Sequence, residues 1–546
     1  MQRTNDIAPS EWRWVIIFSG LLVAITLLPY AWAFASDSPN DNWHFMGMLP
    51  NQLDGATYLS KIGEGARGDW LFTLQYTSEP HTGAAINEFY LLLGHLSRIL
   101  GLSPLVMYHV ARLVTGFVMF VSIYHLGSVI WPRLRPRRLF FSLLAVGSGL
   151  GWLLLTLSAG FSGGSDFNRL PTDFSMPESI PFYATFVNPH FPLTIALISL
   201  LAATFIMVFR PGFDQQPTLS NGGFSVVLIS AALAVIQPQG LVPIMVTLVV
   251  YLAILTVRTR RIPMLELNWI VLVILPTLPF LIYYLAVVRD NEAMRIWNAQ
   301  NFTPSPPIWN YIVGFGLPLL VAIPGVWRAI RRFERDGDRF MLIWLIVNVL
   351  LLYAPFNLQR RLAIGLIIPI AYFAVRALED FWFHRILPPW RDAALVALFV
   401  FMIPSNILTL GIPIFGVVNP AEGIKVGQIL TSGHDEAIHW LNANAQSGDI
   451  ILAPPLTSLW IPAYSDLRVV YGHPYETLNA KDKLPEVQAW YLGESDQECR
   501  TLLEKYAVRY VVSEDIEAPG APTTGCYKAL DNPVASFDHV FVYAIR

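Results

Sequence analysis

The segment YAPFNLQRRLAIGLIIPIAYFAVRALE, residues 353–379, places two adjacent arginines, Arg360 and Arg361, just before a long apolar run. As a helix, the run at 362–378 is long enough to cross a hydrocarbon core of about 30 Å. Arginines at the end of such a run are normally retained on the cytoplasmic side. The place of these two therefore depends on the number of apolar runs in the chain and on where its other positive charges lie.

The composition is that of a polytopic membrane protein. Of the 546 residues, 54% are hydrophobic and only 14% are charged, and the mean hydropathy is +0.48. A soluble chain of this length needs more charge to cover its surface. The N-terminal segment MQRTNDIAPSEWRW has no small-residue cleavage site after it, which predicts a retained first helix. Apolar windows predict eleven spans, near 14–35, 104–131, 139–160, 190–209, 223–236, 240–257, 264–288, 309–327, 340–355, 362–378 and 392–412.

The positive charges fall on alternate connections between these spans. They comprise Arg3 and Arg13, RLRPRR at 133–138, Arg210, RTRR at 258–261, RAIRRFERDGDR at 328–339, and Arg385 with Arg391. The positive-inside rule then predicts a cytoplasmic N-terminus and an extracytoplasmic C-terminal region. The same count places Arg360 and Arg361 on the outer face. Arginine can snorkel to lipid headgroups on either side, but two adjacent guanidiniums with no nearby acid favour a phosphate-bearing partner.

The first outer connection, about 36–103, is longer than a helical hairpin needs and is rich in acids and aromatics. Segment 55–66 is predicted to be helical, and 86–100 is predicted to be an amphipathic helix that lies in the membrane interface. Asp54 follows the first span closely. A carboxylate at headgroup depth is costly unless it is paired or used. Two interpretations stay open: Asp54 caps the helix at 55–66, or it acts as a base.

Further polar candidates lie in the next outer segment and on the second span. Residues 161–189 are rich in Gly, Ser and Pro, which predicts a shaped loop rather than a helix. This segment contains Asp166, Asp173 and Glu178 and leads into His190, which either caps a helix or acts as a ligand or acid–base group. On the second span, Arg112 is expected to face a cavity or a partner, because ionisable groups in a membrane are costly.

The apolar runs stop at about residue 420, which predicts a transmembrane domain over 1–420 and an extracytoplasmic α/β domain over 421–546. Within the second domain, the helices are predicted in HDEAIHWLNAN, EVQAWYLG and ECRTLLEKYA, and the strands in DIILAP, LRVVYG, VRYVVSE and HVFVYAIR. The stretch SLWIPAYSDLRVVYGHPYET is interpreted as a packing surface or as a contact for an extended acceptor. Cys499 and Cys526 either form one bridge or remain free thiols.

This arrangement resembles the integral-membrane C-type (GT-C superfamily) glycosyltransferases that use polyprenyl-phosphate sugars. The resemblance covers essentially the whole chain and rests on the architecture together with DGATYLSKIGEGARGDW, NPHF and NLQRRLAIG. It implies a mainly α-helical membrane bundle, a catalytic Asp54, and donor-phosphate binding by Arg360 and Arg361. Protein O-mannosyltransferases carry an Asp-Glu pair where this chain has Asp54 and Gly55, so the sequence looks closer to the wider bacterial branch.

The predicted activity is inverting transfer of a hexose or pentose from a polyprenyl phosphate to a hydroxyl of a glycan, lipid or protein at the extracytoplasmic face of the cell membrane. This chemistry needs a base and phosphate stabilisation. Arg112 is expected to assist the arginine pair. Residues expected to contact the sugar or acceptor, or to bind a divalent cation such as Mg or Mn, are Tyr58, Trp70, Tyr76, Asp166, Asp173 and His190. Some members of the superfamily need a metal and others do not.

Three other functions are compatible with parts of the sequence. A transporter or flippase explains the spans and the buried arginine, but the chain has no internal repeat of the kind common in transporters. A polysaccharide ligase also handles lipid-linked sugars, in that case as diphosphates. A non-catalytic assembly subunit is the third. No Walker motif, dinucleotide fingerprint or metal-finger spacing occurs, and no nucleic-acid partner is expected.

Overall fold

A computed structural model describes residues 7–38, 41–158, 170–209, 217–334, 337–492, 496–514, 526, 530 and 532–545. The chain forms two compact units, each assembled from three separate stretches of sequence. The first contains Met1–Leu27, Ala111–Ile282 and Thr303–Ile412, and the second contains Leu28–Val110, Tyr283–Phe302 and Pro413–Arg546. The domain boundary expected at residue 420 stays a prediction.

Most of the chain is helical. From the N-terminus to the centre the helices are α1 (Pro9–Ser36), α2 (Gln52–Arg67), α3 (Glu88–Leu100), α4 (Pro104–Ile130), α5 (Leu134–Val146), α6 (Gly151–Ser158), α7 (Thr172–Ser175), α8 (Pro181–Phe186), α9 (His190–Phe209), α10 (Leu219–Ile236), α11 (Pro238–Thr259), α12 (Met264–Asp290) and α13 (Glu292–Gln300). They continue as α14 (Ile308–Arg332), α15 (Asp338–Leu351), α16 (Ile367–Ala377), α17 (Phe383–Arg385), α18 (Arg391–Met402), α19 (Pro404–Gly411), α20 (Ile414–Val418), α21 (Pro420–Lys425), α22 (Ser432–Asn444), α23 (Pro455–Tyr464), α24 (Ala480–Leu492) and α25 (Asp496–Lys505).

Ten helical segments in the described part of the chain are long and apolar enough to cross a membrane. They correspond to ten of the eleven predicted spans. The exception is the predicted span at 340–355, which is the 14-residue helix α15. At 1.5 Å per residue, such a helix is about 21 Å long and falls short of a hydrocarbon core. Helix α15 ends at Leu351, before the end of the predicted span, and the number of spans stays a prediction. The orientation of the chain stays a prediction.

The connection at 161–189 differs from its prediction as a loop. Within the described part, from residue 170 onward, it contains α7, a 3₁₀ turn at Pro177–Ser179 and α8. Pro177 and Pro181 occupy the first positions of the two later turns, where proline's missing N–H has no intrahelical acceptor and costs nothing. The prolines therefore start short helical turns here instead of preventing them.

The two helices predicted in the first outer connection are present as α2 and α3. They pack with their backbones in direct contact through two glycines. A methyl group on Gly65 would collide with the carbonyl of Leu91, and one on Gly94 would collide with the carbonyl of Ile62. Side chains on the opposite face of α3 are apolar and exposed, namely Leu92, Leu96, Ile99 and Leu100. This face matches the amphipathic character that the sequence predicts.

The C-terminal region contains the predicted α/β elements. Its strands are β2 (Ile429–Thr431), β3 (Ile450–Leu452), β4 (Arg468–Val469), β5 (Val508–Glu514), β6 (Ala535–Phe537) and β7 (Val540–Ala544), and β1 (Trp43–Phe45) precedes α2. Five strands form a mixed sheet in the order β4-β3-β5-β7-β6, with β3 parallel to β4 and β5. Strand β1 pairs antiparallel with β2, so the connection between α1 and α4 and the C-terminal region belong to one unit.

Cys499 and Cys526 form a disulfide across 27 residues, with their Cα atoms 5.3 Å apart. Both side chains are buried beside Trp490, whose indole N–H donates to the carbonyl of Cys499. Closing a loop of this length lowers the conformational entropy of the unfolded chain. This stabilises the folded protein by about 3 to 4 kcal/mol.

We expect the C499S/C526S variant to unfold at a lower temperature than the oxidised protein, because its unfolded state regains that entropy. Differential scanning calorimetry of the purified chain measures the change. A reductant should lower the wild-type Tm towards that of the variant and leave the variant's Tm unchanged. Equal Tm values for oxidised wild type and variant would contradict the expectation.

Candidate active site

Asp54 lies in the first turn of α2. The helix begins at Gln52 after Asn51, which adopts a left-handed conformation at φ 56°. Asp54 is thus not the cap residue, because the helix starts earlier than the sequence indicated. Asn51 Nδ2 donates to Asp54 Oδ2 over 2.9 Å, and the side chain of Asp54 is 25% exposed. The carboxylate therefore has one oxygen held in place while part of the group is open to solvent.

His473 is the residue that approaches this carboxylate from the C-terminal region. Its Nε2 lies 3.9 Å from Asp54 Oδ1, and its side chain is 3% exposed. On the other side of the ring, Nδ1 accepts hydrogen bonds from the backbone N–H groups of Tyr475 and Glu476, each over 3.1 Å. Burial lowers the pKa of His473 below its usual value. The imidazole is therefore neutral and carries its proton on Nε2, facing Asp54.

A buried ion pair lies in the same unit. Lys61 Nζ is 2.9 Å from Glu476 Oε1, and both side chains are at most one tenth exposed. Lys61 also lies over the ring of Phe72, 4.7 Å from its centroid. Because Glu476 follows His473 by three residues and Lys61 is on α2 with Asp54, this pair links the helix to the turn that holds the histidine. If either partner were buried alone, the unpaired charge would cost several kcal/mol. Each of the two side chains therefore requires the other.

Glu64 is a second buried acid on α2, one helical turn beyond Lys61. Its Oε1 accepts from the backbone N–H of Thr73 over 3.2 Å and from the Thr73 hydroxyl, whereas Oε2 has no partner in the described part of the chain. Burial raises its pKa to about 8. The carboxyl is thus protonated at neutral pH and stabilises the α2 end as a neutral group.

This raised pKa predicts a pH-dependent stability. In the unfolded chain Glu64 ionises near the ordinary glutamate pKa of 4.5, whereas in the folded chain it retains the proton up to about pH 8. The native state then binds more protons between these values, so the free energy of unfolding falls as pH rises, by up to about 5 kcal/mol at about 1.4 kcal/mol per pKa unit. The E64Q variant lacks this slope. Thermal unfolding should show equal stability at pH 5 and a more stable variant at pH 8.5; a wild type that gains on the variant as pH rises would contradict this.

The aromatic residues expected to contact a sugar lie in different environments. Trp70 is 61% exposed and stacks on His95, with ring centroids 3.9 Å apart. Tyr58 stacks on Tyr90 at 4.1 Å with the rings nearly parallel. Tyr76 is buried, and its hydroxyl donates to the carbonyl of Leu459 over 2.9 Å. Trp70 therefore presents the most open ring face of the three, while Tyr76 holds the backbone of α23.

Arg360 and Arg361 lie in the other unit, on a 3₁₀ turn at Gln359–Ala363. Arg361 pairs with Glu178 over 3.3 Å, and Glu178 is only 1% exposed. The guanidinium of Arg361 also lies over the ring of Phe191 at 5.4 Å. The Nε of Arg360 is buried and has no hydrogen-bond partner within the described ranges. Arg361 already contacts Glu178 and Phe191, whereas the Nε–H of Arg360 is able to donate to an anion.

The turn that carries the arginines is fixed by side-chain hydrogen bonds. Gln359 Nε2 donates to the carbonyl of Ala354 over 2.7 Å, and its Oε1 accepts from the backbone N–H of Ser305. The backbone N–H of Arg360 donates to the carbonyl of Thr303. These contacts hold the backbone of the arginine pair at the start of a candidate membrane span.

The remaining predicted residues are buried or lie outside the described residues. Arg112 is fully buried on α4, where one guanidinium nitrogen donates to the carbonyl of Thr185 over 2.9 Å and to the hydroxyl of Thr26. Asp173 is buried and accepts from the backbone N–H of Gly151 at the start of α6; burial raises its pKa to about 7. His190 begins α9 with its ring beside Phe191. Asp166 lies outside the described residues.

Sequence reasoning missed His473 and Glu178 as partners of the predicted residues. His473 lies in the stretch SLWIPAYSDLRVVYGHPYET, and Glu178 lies in the segment 161–189. Nothing in the spacing connects His473 with Asp54 across more than 400 residues. The HPYE turn itself was the available signal, because a histidine before a proline-containing turn can have its ring fixed by the N–H groups that follow.

The fold is similar to that of solved membrane glycosyltransferases. An oligosaccharyltransferase from Archaeoglobus fulgidus, tethered to an acceptor peptide containing the NVT sequon, superimposes with a TM-score of 0.54 at 13% identity, over 91% of this chain and 69% of that one. The same enzyme in complex with Zn and sulfate gives a TM-score of 0.55 at 12% identity, over 92% and 68%. The chain has the GT-C glycosyltransferase fold.

A third structure with the GT-C fold is the arabinofuranosyltransferase AftD from Mycobacteria, as its R1389S mutant. It matches with a TM-score of 0.52 at 13% identity, over 97% of this chain and 41% of that one. The present chain thus spans about two fifths of that protein's length. No protein-family profile and no curated protein sequence matches this chain. The similarity is therefore one of three-dimensional fold, found where sequence comparison finds nothing.

A divalent cation bound by Asp166, Asp173 or His190 is one of the expectations from sequence, and Asp54 was expected as the base. Within the ranges that the structure describes, no three His, Cys, Asp or Glu side chains are grouped as metal ligands. The histidine nearest Asp54 presents an N–H rather than a lone pair, because both backbone donors occupy its Nδ1. The described residues around Asp54 therefore do not fit a divalent cation, and a Mg or Mn cofactor stays a prediction.

Proposed function

We propose that this protein is an inverting glycosyltransferase that transfers a sugar from a polyprenyl phosphate to a hydroxyl acceptor at the extracytoplasmic face of the membrane. The observation that carries the proposal is the GT-C fold over more than nine tenths of the chain, shared with an oligosaccharyltransferase and an arabinofuranosyltransferase. The fold supports glycosyl transfer in general.

Asp54 is proposed as the general base. It removes the proton from the acceptor hydroxyl as the hydroxyl oxygen attacks the anomeric carbon of the donor. The bond between that carbon and the phosphate oxygen breaks, and its electron pair leaves with the phosphate. One displacement at one face inverts the anomeric configuration. The partial exposure of Asp54 beside a fixed Asn51 supports this role, because the carboxylate is both positioned and open to a substrate.

Arg360 and Arg361 are proposed to bind the departing phosphate. A phosphate monoester leaves as an anion, so it needs cations more than a general acid. Arg360 supports this role through its buried Nε without a partner in the described part of the chain. The archaeal enzyme of similar fold was solved with bound sulfate, an anion of the same shape as phosphate. Arg112 is proposed to contribute charge from within its own unit, and Trp70 is proposed to stack on a sugar.

The reaction is proposed to take place on the extracytoplasmic side of the membrane. Two features support this side, the disulfide and the exposed apolar face of α3. A bridge between Cys499 and Cys526 is typical of oxidising, extracytoplasmic compartments. The exposed leucines on α3 suit a helix that lies at the membrane interface, where a lipid-linked donor presents its phosphate. Both features belong to the unit that contains Asp54. They support an extracytoplasmic position for the base.

Reconstitution in sealed vesicles distinguishes this function from lipid transport. Purified protein is offered polyprenyl-phosphate mannose, glucose or arabinofuranose together with octyl glucoside as the hydroxyl acceptor. We expect free polyprenyl phosphate and an octyl disaccharide of inverted anomeric configuration, detected by mass spectrometry and NMR. Movement of intact donor between leaflets without product would instead identify a flippase. Turnover restricted to polyprenyl-diphosphate donors would identify a ligase of lipid-linked sugars.

A further inference from the structure

The buried Nε2–H of His473 is a donor without an acceptor in the part of the chain that the structure describes. Its ring is almost completely enclosed, yet Nε2 has no hydrogen-bond partner within the described ranges. An unsatisfied buried donor destabilises a fold, and in native proteins it usually has an explanation. Asp54 Oδ1 lies 3.9 Å from this nitrogen, which is beyond hydrogen-bond distance.

The tautomer of His473 is determined by the turn that carries it. Two backbone N–H groups, from Tyr475 and Glu476, both point at Nδ1 and require a lone pair there. The turn is held in addition by Thr477, whose hydroxyl accepts from the N–H groups of Gly472 and His473 and donates to the carbonyl of Tyr76. The proton on Nε2 is therefore a fixed structural feature rather than one of two exchangeable alternatives.

The separation of Nε2 and Oδ1 matches that of two atoms bridged by one hydroxyl oxygen. An oxygen about 2.8 Å from each atom would complete a triangle whose third side is the observed 3.9 Å. Its angle at that oxygen is about 90°, near the angle between a hydroxyl's O–H bond and a lone pair. A hydroxyl fits this position in one orientation, accepting from Nε2–H and donating to the carboxylate. A protonated amine has no lone pair, so it cannot accept a hydrogen bond from His473.

We propose that the acceptor hydroxyl binds between His473 Nε2 and Asp54 Oδ1, with His473 as a positioning residue that selects a hydroxyl and directs its proton at the base. This inference rests on the proposed function. In the reaction, the hydroxyl proton passes to Asp54, the oxygen forms the bond to the anomeric carbon, and the phosphate takes the electron pair of the broken bond. His473 keeps its own proton throughout, so its contribution is to acceptor binding and orientation.

Two substitutions separate the functions of the two ring nitrogens. The amide of Asn in H473N can place its oxygen near the Nδ1 position, preserving the acceptor for Tyr475 and Glu476 while the Nε2–H is lost. The longer amide of Gln in H473Q can place an N–H near the Nε2 position, restoring the donor. With the donor that turns over in wild type and with octyl glucoside as acceptor, we expect H473N to raise the acceptor KM at least tenfold and the donor KM less than twofold. We expect H473Q to recover part of the acceptor KM.

The outcomes distinguish this inference from a structural role and from failure of the proposed function. A general loss of structure would raise both KM values and lower Tm for H473N and H473Q alike, and that result would overturn the inference. So would an unchanged acceptor KM in H473N. If wild-type protein transfers no sugar at all, the proposed function fails first. If wild type transfers and D54N does not, while H473N equals wild type, only the assignment of His473 is wrong.

Discussion

The D54N variant is expected to lose at least about a hundredfold, and up to about ten thousandfold, in kcat while binding the donor as wild type does. Removal of a positioned general base typically has an effect of this size. The substitution keeps the shape of the side chain and leaves an oxygen to accept from Asn51 Nδ2. Steady-state transfer to octyl glucoside measures kcat, and titration with donor measures binding.

Asp69 provides a matched control for this loss. It is an exposed carboxyl in the same outer connection, and its backbone N–H donates to the carbonyl of Glu64. The D69N variant therefore makes the same chemical change without touching the proposed base, and it should retain wild-type kcat. A D54N enzyme with wild-type kcat would remove Asp54 from the mechanism. Equal losses in D54N and D69N would point to an effect of surface charge instead.

The R360Q variant is expected to weaken donor binding by roughly ten- to a hundredfold, because one charge-assisted contact to a phosphate contributes about 1.5 to 3 kcal/mol. The change in kcat should be smaller than the change in affinity if the contact forms already in the bound donor. Binding of a polyprenyl-phosphate sugar, and of polyprenyl phosphate alone, measures the effect. Weaker binding of both would place the contact at the phosphate rather than at the sugar.

Arg361 requires a paired design because Glu178 depends on it. The R361Q variant leaves a buried carboxyl without its cation, which destabilises the fold by itself. The double variant R361Q/E178Q removes both charges and keeps the local net charge unchanged. Comparison of R360Q with this double variant separates anion binding from stability. Donor affinity that is unchanged in both would contradict the assignment of this arginine pair to the phosphate.

Most of the helices and strands were predicted from apolar runs and from hydrophobic periodicity, whereas the orientation predicted from charge stays a prediction. The candidate spans and the strands around Val511 and Val542 were predicted because each carries its own apolar signal. The span predicted at 340–355 extends beyond the end of α15, because hydropathy does not reveal where a helix stops. The turns at Pro177 and Pro181 were missed because proline both ends helices and begins them, and composition does not distinguish the two.

Sequence alone predicted the individual residues of the candidate site but not the residues that contact them. Asp54 and the arginine pair stood out because each breaks a rule for its place in the chain, an acid near the membrane and positive charge on the wrong side. Their partners do not break any local rule. His473 reaches Asp54, and Glu178 reaches Arg361, only through tertiary packing. Long-range pairs of this kind leave no trace in the spacing of one sequence.

The proposed mechanism requires the carboxylate and the arginine pair to act on one side of the membrane, away from the cytoplasm. The two native cysteines are bonded to each other, so an introduced cysteine is the sole reactive thiol. In intact cells, a membrane-impermeant maleimide should label D69C and N357C, beside Asp54 and the arginines in sequence, and should label R261C only after permeabilisation. Labelling of D69C and N357C from opposite sides would contradict the account.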